Sequence, residues 1–387
     1  MQVITTTEAL ADFCRDLAAG AFVAVDTEFM RDSTYWPKLC LIQAAGAKAD
    51  GSPVEAVIDP LAQGLSLAPF LELMANPAVL KVFHAARQDL EIFNKLMGAL
   101  PAPVFDTQIA AMASGHGDSI AYDALVQAVL KRRLDKSSRF TDWARRPLSD
   151  SQLAYALADV THLRDLYPKL RDALEAKGRA HWLEEEHANL LKPANYDFSP
   201  ESAWKRLKLR KLTRDYLIAL QATAAWRERM AQERDTPRGR VLKDDAIYDI
   251  AETRPRDLAA FDRMRAVPRG FGGSRQAQSL LAELQAAFAE PERFVTEIAK
   301  PPPTPPGLGP TVELLKVLLR YEADRAGVAP RLIADSADVE AVAASDEADV
   351  PALHGWRREV FGERALALKH GKLALKLVDG KVAVEAI

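Results

Sequence analysis

The clearest feature of the hydrophobic pattern is the segment Phe22 to Met30, an apolar run interrupted by two carboxylates. Residues Phe22 to Val25 predict a buried strand. Because successive side chains of a strand alternate between its faces, Asp26 and Glu28 lie on the same face. Two like charges beside an apolar core favour either protonation or a cation, and hard divalent cations such as Mg²⁺ prefer carboxylate oxygens. If the strand ended at Val25, the pair would lie in a solvated turn, so the pair alone leaves both interpretations open.

Residues 1 to about 170 alternate strand-like and helix-like segments, which is typical of an α/β domain. A helix is predicted before the acidic strand, and Lys38 to Ala45 and Val54 to Pro60 predict two further strands. With the acidic strand they predict an antiparallel meander. A short strand is predicted at Val79 to Phe83, and the helix after it carries Asp89 in its first two turns.

A long helix is predicted after Pro147, with Ser149 or Asp150 suited to cap it. Tyr155 and Asp159 are four residues apart on this helix, so they share a face and lie one turn from each other. Packing would explain Tyr155 if it stood alone. The carboxylate in register with it favours a functional pair.

Basic residues are concentrated in two stretches. Lys131 to Asp150 contains seven Lys or Arg against three Asp, with Phe140 and Trp143 among them, and residues 201 to 240 contain eleven Lys or Arg against five acids. A solvated loop or helix explains such composition as well, but basic sequence interleaved with aromatic residues also suits a phosphate backbone and stacked bases. The candidate cations for contacting a substrate are Arg139, Lys205 and Arg206.

The strand pattern ends at about residue 170. Residues 194 to 202 predict a linker, the helices up to about Phe294 predict a small bundle, and the proline-rich segment Lys300 to Pro310 predicts a stiff spacer. The last residues alternate apolar and polar positions around Asp379-Gly380, a strong hairpin signal. The predicted domains are residues 1–192, 201–294 and 308–387.

Composition narrows the class of protein. The chain has 387 residues, 48% of them hydrophobic and 27% charged, with a net charge of −3, so its overall charge says nothing about nucleic acid. Two cysteines, Cys14 and Cys40, exclude a disulfide framework and a cysteine-rich zinc site. The start has no signal-peptide pattern and no apolar stretch is long enough for a membrane span, which predicts a cytoplasmic protein without membrane contact.

The acids and the tyrosine occur in the order of a known motif set. The string DTE at residues 26–28, the Asp of HAARQDLE and the Tyr and Asp of YALAD resemble the three motifs of the DEDD superfamily of 3′–5′ exonucleases. The Tyr four residues before the last Asp indicates the DEDDy branch, because the other branch has His where Ala154 lies here. The segments FMRDSTYWPKLCLIQ and KVFHAARQDLEIF and the spacing of RRPLSDSQLAYALADV resemble the ribonuclease D family. Residues 201–290 and 311–387 resemble the helical HRDC module that this family shares with RecQ-type helicases.

The resemblance implies a fold and an activity. The fold is a ribonuclease H-like, mixed-sheet α/β exonuclease domain followed by two small all-α HRDC-type domains. The activity is two-metal 3′–5′ exoribonuclease hydrolysis that releases nucleoside 5′-monophosphates. Mg²⁺, with Mn²⁺ as the alternative, is the implied cofactor, tRNA precursors are the implied RNA substrates, and a monomer is expected.

The resemblance also implies roles for individual residues. Asp26 would bridge both metal ions, Glu28 and Asp159 would complete the site of the attacking water, and Asp89 would serve the other ion largely through water. Tyr155 would orient the attacking water. Further candidates for contacting the substrate are Phe29, Met30, His84 and Gln88. Apolar side chains beside a core strand are more often simply core, which applies to Phe29 and Met30, and a structural role is the simpler explanation for His84.

Two other functions stay open at this stage. A DNA 3′–5′ exonuclease uses the same metal chemistry and differs in recognising the 2′-hydroxyl, a contact that the sequence does not locate. A non-catalytic RNA-binding protein would lack a metal ligand, and none is missing. The last predicted domain, residues 308–387, has a net charge of about −2 over residues 311–387, which leaves open whether it binds RNA or shapes the entrance of the active site.

Overall fold

The structure, a computed structural model, describes residues 2–135, 138, 141–298 and 305–387. The chain forms two compact units. The first comprises Met1–Glu28, Leu41–Lys192 and Pro302–Ile387, and the second comprises Phe29–Cys40 and Pro193–Pro301.

A six-stranded mixed sheet organises the first part of the chain. Its strands are β1 (Val3–Ile4), β2 (Phe22–Met30), β3 (Lys38–Ala47), β4 (Pro53–Ile58), β5 (Leu80–Phe83) and β6 (Val104–Asp106). Their order is β1-β4-β3-β2-β5-β6, with β3 and β4 antiparallel and with parallel pairs between β1 and β4, β2 and β5, and β5 and β6. The predicted neighbours β2, β3 and β4 are adjacent, which confirms that part of the meander. The two-residue β1 was not predicted, because its pairing with β4 depends on residues more than fifty positions away.

Strand β2 continues past its apolar half. Val23, Ala24 and Val25 are fully buried, and the strand runs on to Met30. The two carboxylates therefore lie within the strand and not in a solvated turn.

Seven helices accompany this sheet: α1 (Thr7–Ala18), α2 (Ala68–Ala75), α3 (Arg87–Met97), α4 (Thr107–Ser114), α5 (Tyr122–Leu130), α6 (Asp150–Ala176) and α7 (Trp182–Leu190). Of the two caps predicted for α6, Ser149 and Asp150, the structure has Ser149, which forms a capping box with Gln152. This box fixes where the 27-residue helix begins, and so fixes the turn on which Tyr155 and Asp159 lie. None of the helices in the described residues is long and apolar enough to cross a bilayer.

The helical part of the second unit contains α8 (Arg214–Glu233), α9 (Arg238–Val241), α10 (Asp244–Thr253), α11 (Leu258–Asp262) and α12 (Arg275–Ala289). Short 3₁₀ helices lie at Pro193–Tyr196, Pro200–Arg206, Phe271–Gly273 and Pro291–Arg293, so the segment predicted as a linker is partly helical. Helix α8 is the core helix, since fourteen of its twenty residues are buried.

The loop between β2 and β3 belongs to this second unit. The backbone N–H groups of Tyr35 and Trp36 both donate to Oδ1 of Asp235, at 3.1 and 3.0 Å, just after α8. The hydroxyl of Tyr35 bonds to the fully buried carboxylate of Glu228. A loop that sequence analysis treats as a simple connection is therefore held by the helical bundle.

The last part of the chain contains α13 (Gly309–Ala326), α14 (Pro330–Ile333), α15 (Ser336–Ala344), α16 (Gly355–Arg357), a π-helical turn (Arg358–Gly362), α17 (Glu363–Lys369), β7 (Leu373–Val378) and β8 (Lys381–Ala386). A 3₁₀ helix also lies at Pro351–Leu353. Strands β7 and β8 form the antiparallel hairpin that Asp379-Gly380 predicts, and both turn residues have positive φ.

This last part packs within the first unit. The indoles of Trp182 and Trp356 stack with 4.1 Å between ring centroids. The buried guanidinium of Arg357 donates to Glu185 at 2.5 Å and also to Glu186. Helices from the end of the chain thus pack on α7, far earlier in the sequence, and extend the core of the first unit.

Candidate active site

Three carboxylates converge at the sheet. Asp26 and Glu28 lie on one face of β2, and Asp159 comes from α6. One carboxylate oxygen from each of the three lies within 4.8 Å of the others. The spacing that the sequence predicts on β2 and the register that it predicts on α6 therefore meet in one place.

The fourth predicted acid is attached to the cluster through an intermediate residue. Asp89 lies in the first turn of α3 and is buried. Its Oδ1 accepts a hydrogen bond of 2.5 Å from the hydroxyl of Thr27, which stands between Asp26 and Glu28 on β2. Asp89 is not one of the three acids whose carboxylate oxygens lie within 4.8 Å of one another, but its negative charge helps to raise the pKa of Glu28. Sequence analysis passed over Thr27, although its place inside the acidic pair was a signal.

Burial and mutual repulsion shift the acidity of the cluster. Burial raises the pKa of Asp26 to about 6. Burial, followed by the charges of the neighbouring acids, raises the pKa of Glu28 to about 9. Burial and then the charge of Asp26 raise the pKa of Asp159 to about 8. The pKa of Asp89 is also raised well above its ordinary value, by burial and then by Asp26.

This donor set fits divalent metal ions. No lysine or arginine is among the causes that set the pKa values of the four acids in the described part of the chain. Buried carboxylates without a positive partner are costly, and a cation with oxygen ligands removes that cost. Asp26, Glu28 and Asp159 can supply oxygens to one ion, and Asp89 adds a buried acidic group whose pKa is raised by burial and by Asp26.

The raised pKa values predict how pH changes the response to metal. The folded, metal-free protein holds protons on Asp26, Glu28 and Asp159 that the unfolded chain releases from about pH 4 upward, so their contribution to stability is present at low pH and is lost as pH rises through about 6 to 9. A divalent ion bound by these carboxylates would replace those protons. We expect the rise in melting temperature caused by Mg²⁺ to grow between pH 6 and pH 9 in thermal denaturation against EDTA controls; an equal rise at both values would contradict the shifts.

Two of the four acids, Asp26 and Asp159, line an open cavity of about 340 Å³. Its lining includes Asp26, His84, Tyr122, Tyr155 and Asp159. Tyr155 lies one helical turn before Asp159, as predicted. The centroid of its ring is 6.1 Å from that of Trp143, in the basic stretch Lys131 to Asp150. The cavity therefore brings together a carboxylate cluster, phenol groups and an imidazole.

Tyr122 is a cavity residue that sequence analysis missed. Its hydroxyl donates to the backbone carbonyl of Asp159. The pKa of Tyr122 lies well above its ordinary value, chiefly because of burial and secondly because of the charge of Asp159, so the phenol keeps its proton. Tyr122 thereby fixes the turn of α6 that carries Asp159. Its position at the start of α5 gave no sign of this contact.

His84 lies in the turn between β5 and α3. Its Nδ1 is 3.0 Å from Oγ1 of Thr107, which itself donates to the carbonyl of Phe83, so Nδ1 is the donor. Burial lowers the pKa of His84 to about 4, and the ring is neutral near pH 7. His84 can therefore contact a substrate through its ring but not as a cation.

Asp106 holds the same turn and was also missed. Its carboxylate accepts the backbone N–H groups of Ala85 and Ala86, both at 2.9 Å, and that of Gln108 at 2.8 Å, where it caps α4. The contact stabilises Ala85 at a φ of 56°, a region that side chains other than glycine rarely adopt. An Asp before a helix signals a cap. Its bonds to the backbone of Ala85 and Ala86, in the turn after β5, could be identified only in the folded structure.

The other predicted substrate residues are dispersed. Phe29 and Met30 end β2 and are partly buried, and Gln88 is exposed in the first turn of α3. Lys205 is exposed, whereas the guanidinium of Arg206 donates to Glu228 at 2.7 Å. Arg139, like Phe140, lies outside the described residues.

Comparisons with known proteins agree with this site. A family model described as a 3′–5′ exonuclease matches residues 1–175, and one described as an HRDC domain matches residues 219–282. The chain is 52% identical to ribonuclease D of Nitrobacter hamburgensis over 99% of this chain and 98% of that protein. It is 48% identical to ribonuclease D of Granulibacter bethesdensis over 98% of this chain and 95% of that protein.

A solved structure extends the likeness to three dimensions. The crystal structure of Escherichia coli RNase D, described as an exoribonuclease involved in structured RNA processing, matches with a TM-score of 0.77 and 30% identity over 96% of this chain and 98% of that one. The match covers the mixed sheet and the helices that follow it. Because relatives of this identity align over nearly their whole length, the chain belongs to the ribonuclease D family of metal-dependent 3′–5′ exoribonucleases.

Proposed function

We propose that this chain shortens RNA from the 3′ end one nucleotide at a time, releases nucleoside 5′-monophosphates, and acts on tRNA precursors with 3′ extensions. The observation that carries the proposal is the convergence of Asp26, Glu28 and Asp159 within 4.8 Å at a cavity that also holds Tyr155. The Escherichia coli relative is described as an exoribonuclease involved in structured RNA processing, which supports a folded RNA with a free 3′ tail as the substrate.

We propose that the four acids hold two Mg²⁺ ions, with Mn²⁺ as the alternative. Asp26 is the shared ligand, Glu28 and Asp159 complete one site, and Asp89 belongs to the other. When bound, the two ions lower the pKa of the attacking water and stabilise the charge that develops on the leaving 3′ oxygen. The Thr27 hydroxyl already occupies one oxygen of Asp89, which suits a ligand that acts partly through water.

The aromatic groups have positioning roles in this proposal. The Tyr155 hydroxyl orients the attacking water by a hydrogen bond, from one helical turn away from Asp159. Tyr122 keeps its proton and holds the carbonyl of Asp159, so the turn carrying both functional groups of α6 stays in place. Asp106 does the same for the turn that leads from His84 to Asp89.

Substrate contacts are proposed for residues around the acids and on the helical unit. Phe29 and Met30 follow Glu28 directly and suit stacking on the terminal base, and neutral His84 and exposed Gln88 suit polar or ring contacts with the terminal nucleotide. Cationic contacts with phosphates are proposed for Arg139, Lys205 and Arg206.

The proposal keeps three domains, at residues 1–192, 201–294 and 308–387. The HRDC match and the basic excess support RNA binding by the second domain. The third is acidic and packs on α7, which supports a structural role. A monomer located in the cytoplasm is part of the same proposal.

The test is an assay of product length. We expect wild-type protein with Mg²⁺ to convert a 5′-labelled RNA with a single-stranded 3′ tail into a ladder that shortens by one nucleotide, to release 5′-monophosphates, and to stop when EDTA is added. The matching DNA should be degraded more slowly. Faster degradation of DNA would overturn the choice of RNA, and binding without cleavage would overturn the catalytic assignment.

Two variants of one helix provide the matched control. Asp159→Asn removes a proposed ligand and should abolish the ladder. Asp172→Asn makes the same chemical change on α6, where the exposed side chain pairs with its neighbour Arg171, and should leave the ladder intact. Equal activity in both variants would contradict the proposed metal site.

A further inference from the structure

The second unit contains a cavity of about 480 Å³, and four of its eight lining residues are cations. It shares no lining residue with the cavity at the acidic site. Its charged lining residues are Arg206, Arg227, Arg238, Lys243, Asp244 and Asp245. Arg206 was expected from the sequence to contact substrate, but the three other cations that meet it come from later helices and turns. Convergence of four positive side chains requires an explanation, because like charges repel.

The protein's own acids neutralise only part of this charge. Glu228 accepts bonds from Arg206 at 2.7 Å and from Arg238 at 2.6 Å, and Asp244 pairs with Arg227 at 2.5 Å. Asp245 instead pairs with Arg210, which is outside the lining. Four cations therefore face three nearby acids, one of which is committed elsewhere.

Lys243 supplies the positive charge that is left over. Its side chain is exposed at the cavity, and no ion pair joins it to an acid in the described ranges. It occupies the N-cap position of α10 without a side-chain cap bond. The positive end of a helix and the ammonium group together favour an anion at this point.

Arg227 gives an independent indication of a ligand. This cavity-lining residue is only 5% exposed, and its Nη1 donates to the carbonyl of Leu242 at 3.0 Å as well as to Asp244. Its Nε has no hydrogen-bond partner among the described residues. A buried donor without an acceptor is costly in a folded protein, and an anionic ligand beside the guanidinium would offset that cost electrostatically.

The backbone leaves room for such a ligand. A Cβ built on Gly239, also in the lining, would meet no atom within 4 Å. The next exposed cations along the chain, Lys205 and Arg240, adjoin lining residues. Positive charge thus continues beyond the cavity, which fits a polyanion better than a single small ion.

We propose that this cavity binds a phosphate of the RNA backbone, with Lys243 as the most accessible contact and Arg206, Arg227 and Arg238 as its cationic walls. The inference rests on the proposed function for the identity of the polyanion. It assigns a subsite on the helical unit, separate from the acids that cut the RNA.

Lys243→Glu tests the proposal in the full-length protein. Binding of a fluorescently labelled single-stranded RNA is measured by anisotropy in EDTA, so that hydrolysis plays no part, at several salt concentrations. We expect affinity about tenfold weaker and a salt dependence reduced by about one in the slope of log K against log [salt], as for a lost phosphate contact. Glu at a helix N-cap complements the helix dipole, so the melting temperature should not fall.

The matched control is Arg269→Glu, which makes the same charge change at an exposed position of the same unit outside the lining. It should leave affinity and slope near the wild-type values. Equal binding by Lys243→Glu and wild type would overturn the proposal, as would an equal loss in both variants. If inorganic phosphate stabilises the wild type through Lys243 while RNA affinity is independent of it, the site takes a free anion and the RNA assignment is overturned.

The readout also separates this subsite from the proposed function. RNA binding that depends on Lys243 in a protein that cuts neither RNA nor DNA would sustain the subsite and reject the catalytic proposal. If the protein instead produces the RNA ladder but binds RNA independently of Lys243, the catalytic proposal is sustained and the subsite is rejected.

Discussion

Asp26→Asn is expected to abolish RNA hydrolysis and, at the same time, to stabilise the metal-free protein. The loss of activity should be on the order of 10³-fold or more, because Asp26 is the proposed shared ligand of metal ions that contribute several kcal/mol of charge stabilisation. The gain in stability follows from repulsion, since the charge of Asp26 raises the pKa of Glu28, Asp89 and Asp159. Replacing it with a neutral side chain of the same shape should add about 1 kcal/mol to the free energy of unfolding in EDTA.

Asp32→Asn is the control for this prediction. The same chemical change falls six residues later, on an exposed side chain of the loop after β2, and should alter neither hydrolysis nor melting temperature. The measurements are product release with Mg²⁺ and thermal unfolding in EDTA. An Asp26→Asn protein that keeps most of its activity would remove the metal assignment, and one that unfolds at a lower temperature in EDTA would contradict the repulsion.

Glu228→Ala should be strongly destabilising. The carboxylate is fully buried on α8 and is bound by Arg206, Arg238 and the hydroxyl of Tyr35. Removing one partner of a buried ion pair typically costs about 3–5 kcal/mol of the free energy of unfolding. Because both arginines are partly exposed, we expect a loss of about 3 kcal/mol. Two guanidinium groups would then repel each other, with the Arg238 group over the Tyr35 ring.

The loss should be local to the loop and the helical bundle. Hydrogen exchange of the Tyr35 and Trp36 amides, which donate to Asp235 nearby, is expected to accelerate along with the fall in stability. Glu233→Ala, on the same helix but exposed, should change neither. If Glu228→Ala unfolds like wild type while these amides exchange at an unchanged rate, the ion-pair cluster does not anchor the loop.

Strand β2 includes residues of both units. It carries Asp26 and Glu28, and its last two residues, Phe29 and Met30, belong with the following residues up to Cys40 to the second unit. The strand that carries the proposed metal ligands is thus covalently continuous with a segment whose backbone bonds to Asp235, just after α8. Arg206 and Arg238, which bind Glu228 beneath Tyr35, also line the proposed phosphate subsite.

Much of the candidate site could be predicted from local sequence patterns. The period of two along β2 was enough to place Asp26 and Glu28 on one face, and the separation of four residues was enough to place Tyr155 one turn from Asp159. Both follow from the geometry of a single element, which neighbouring side chains do not alter. The cap at Ser149 and the hairpin at Asp379-Gly380 were predictable for the same reason.

The sequence by itself therefore determined most of the elements of the sheet domain and their order, the faces on which the acids lie and, through its motifs, the family. It did not reveal β1 or the short 3₁₀ helices in the predicted linker. Only the tertiary structure decided which distant groups meet: Thr27 with Asp89 across 62 positions, Tyr35 with Glu228 across 193, and Arg357 with Glu185 across 172. A helix or strand repeats its own period, so its faces can be derived from a short window. Contacts between elements depend on how whole surfaces pack, and no local period records them.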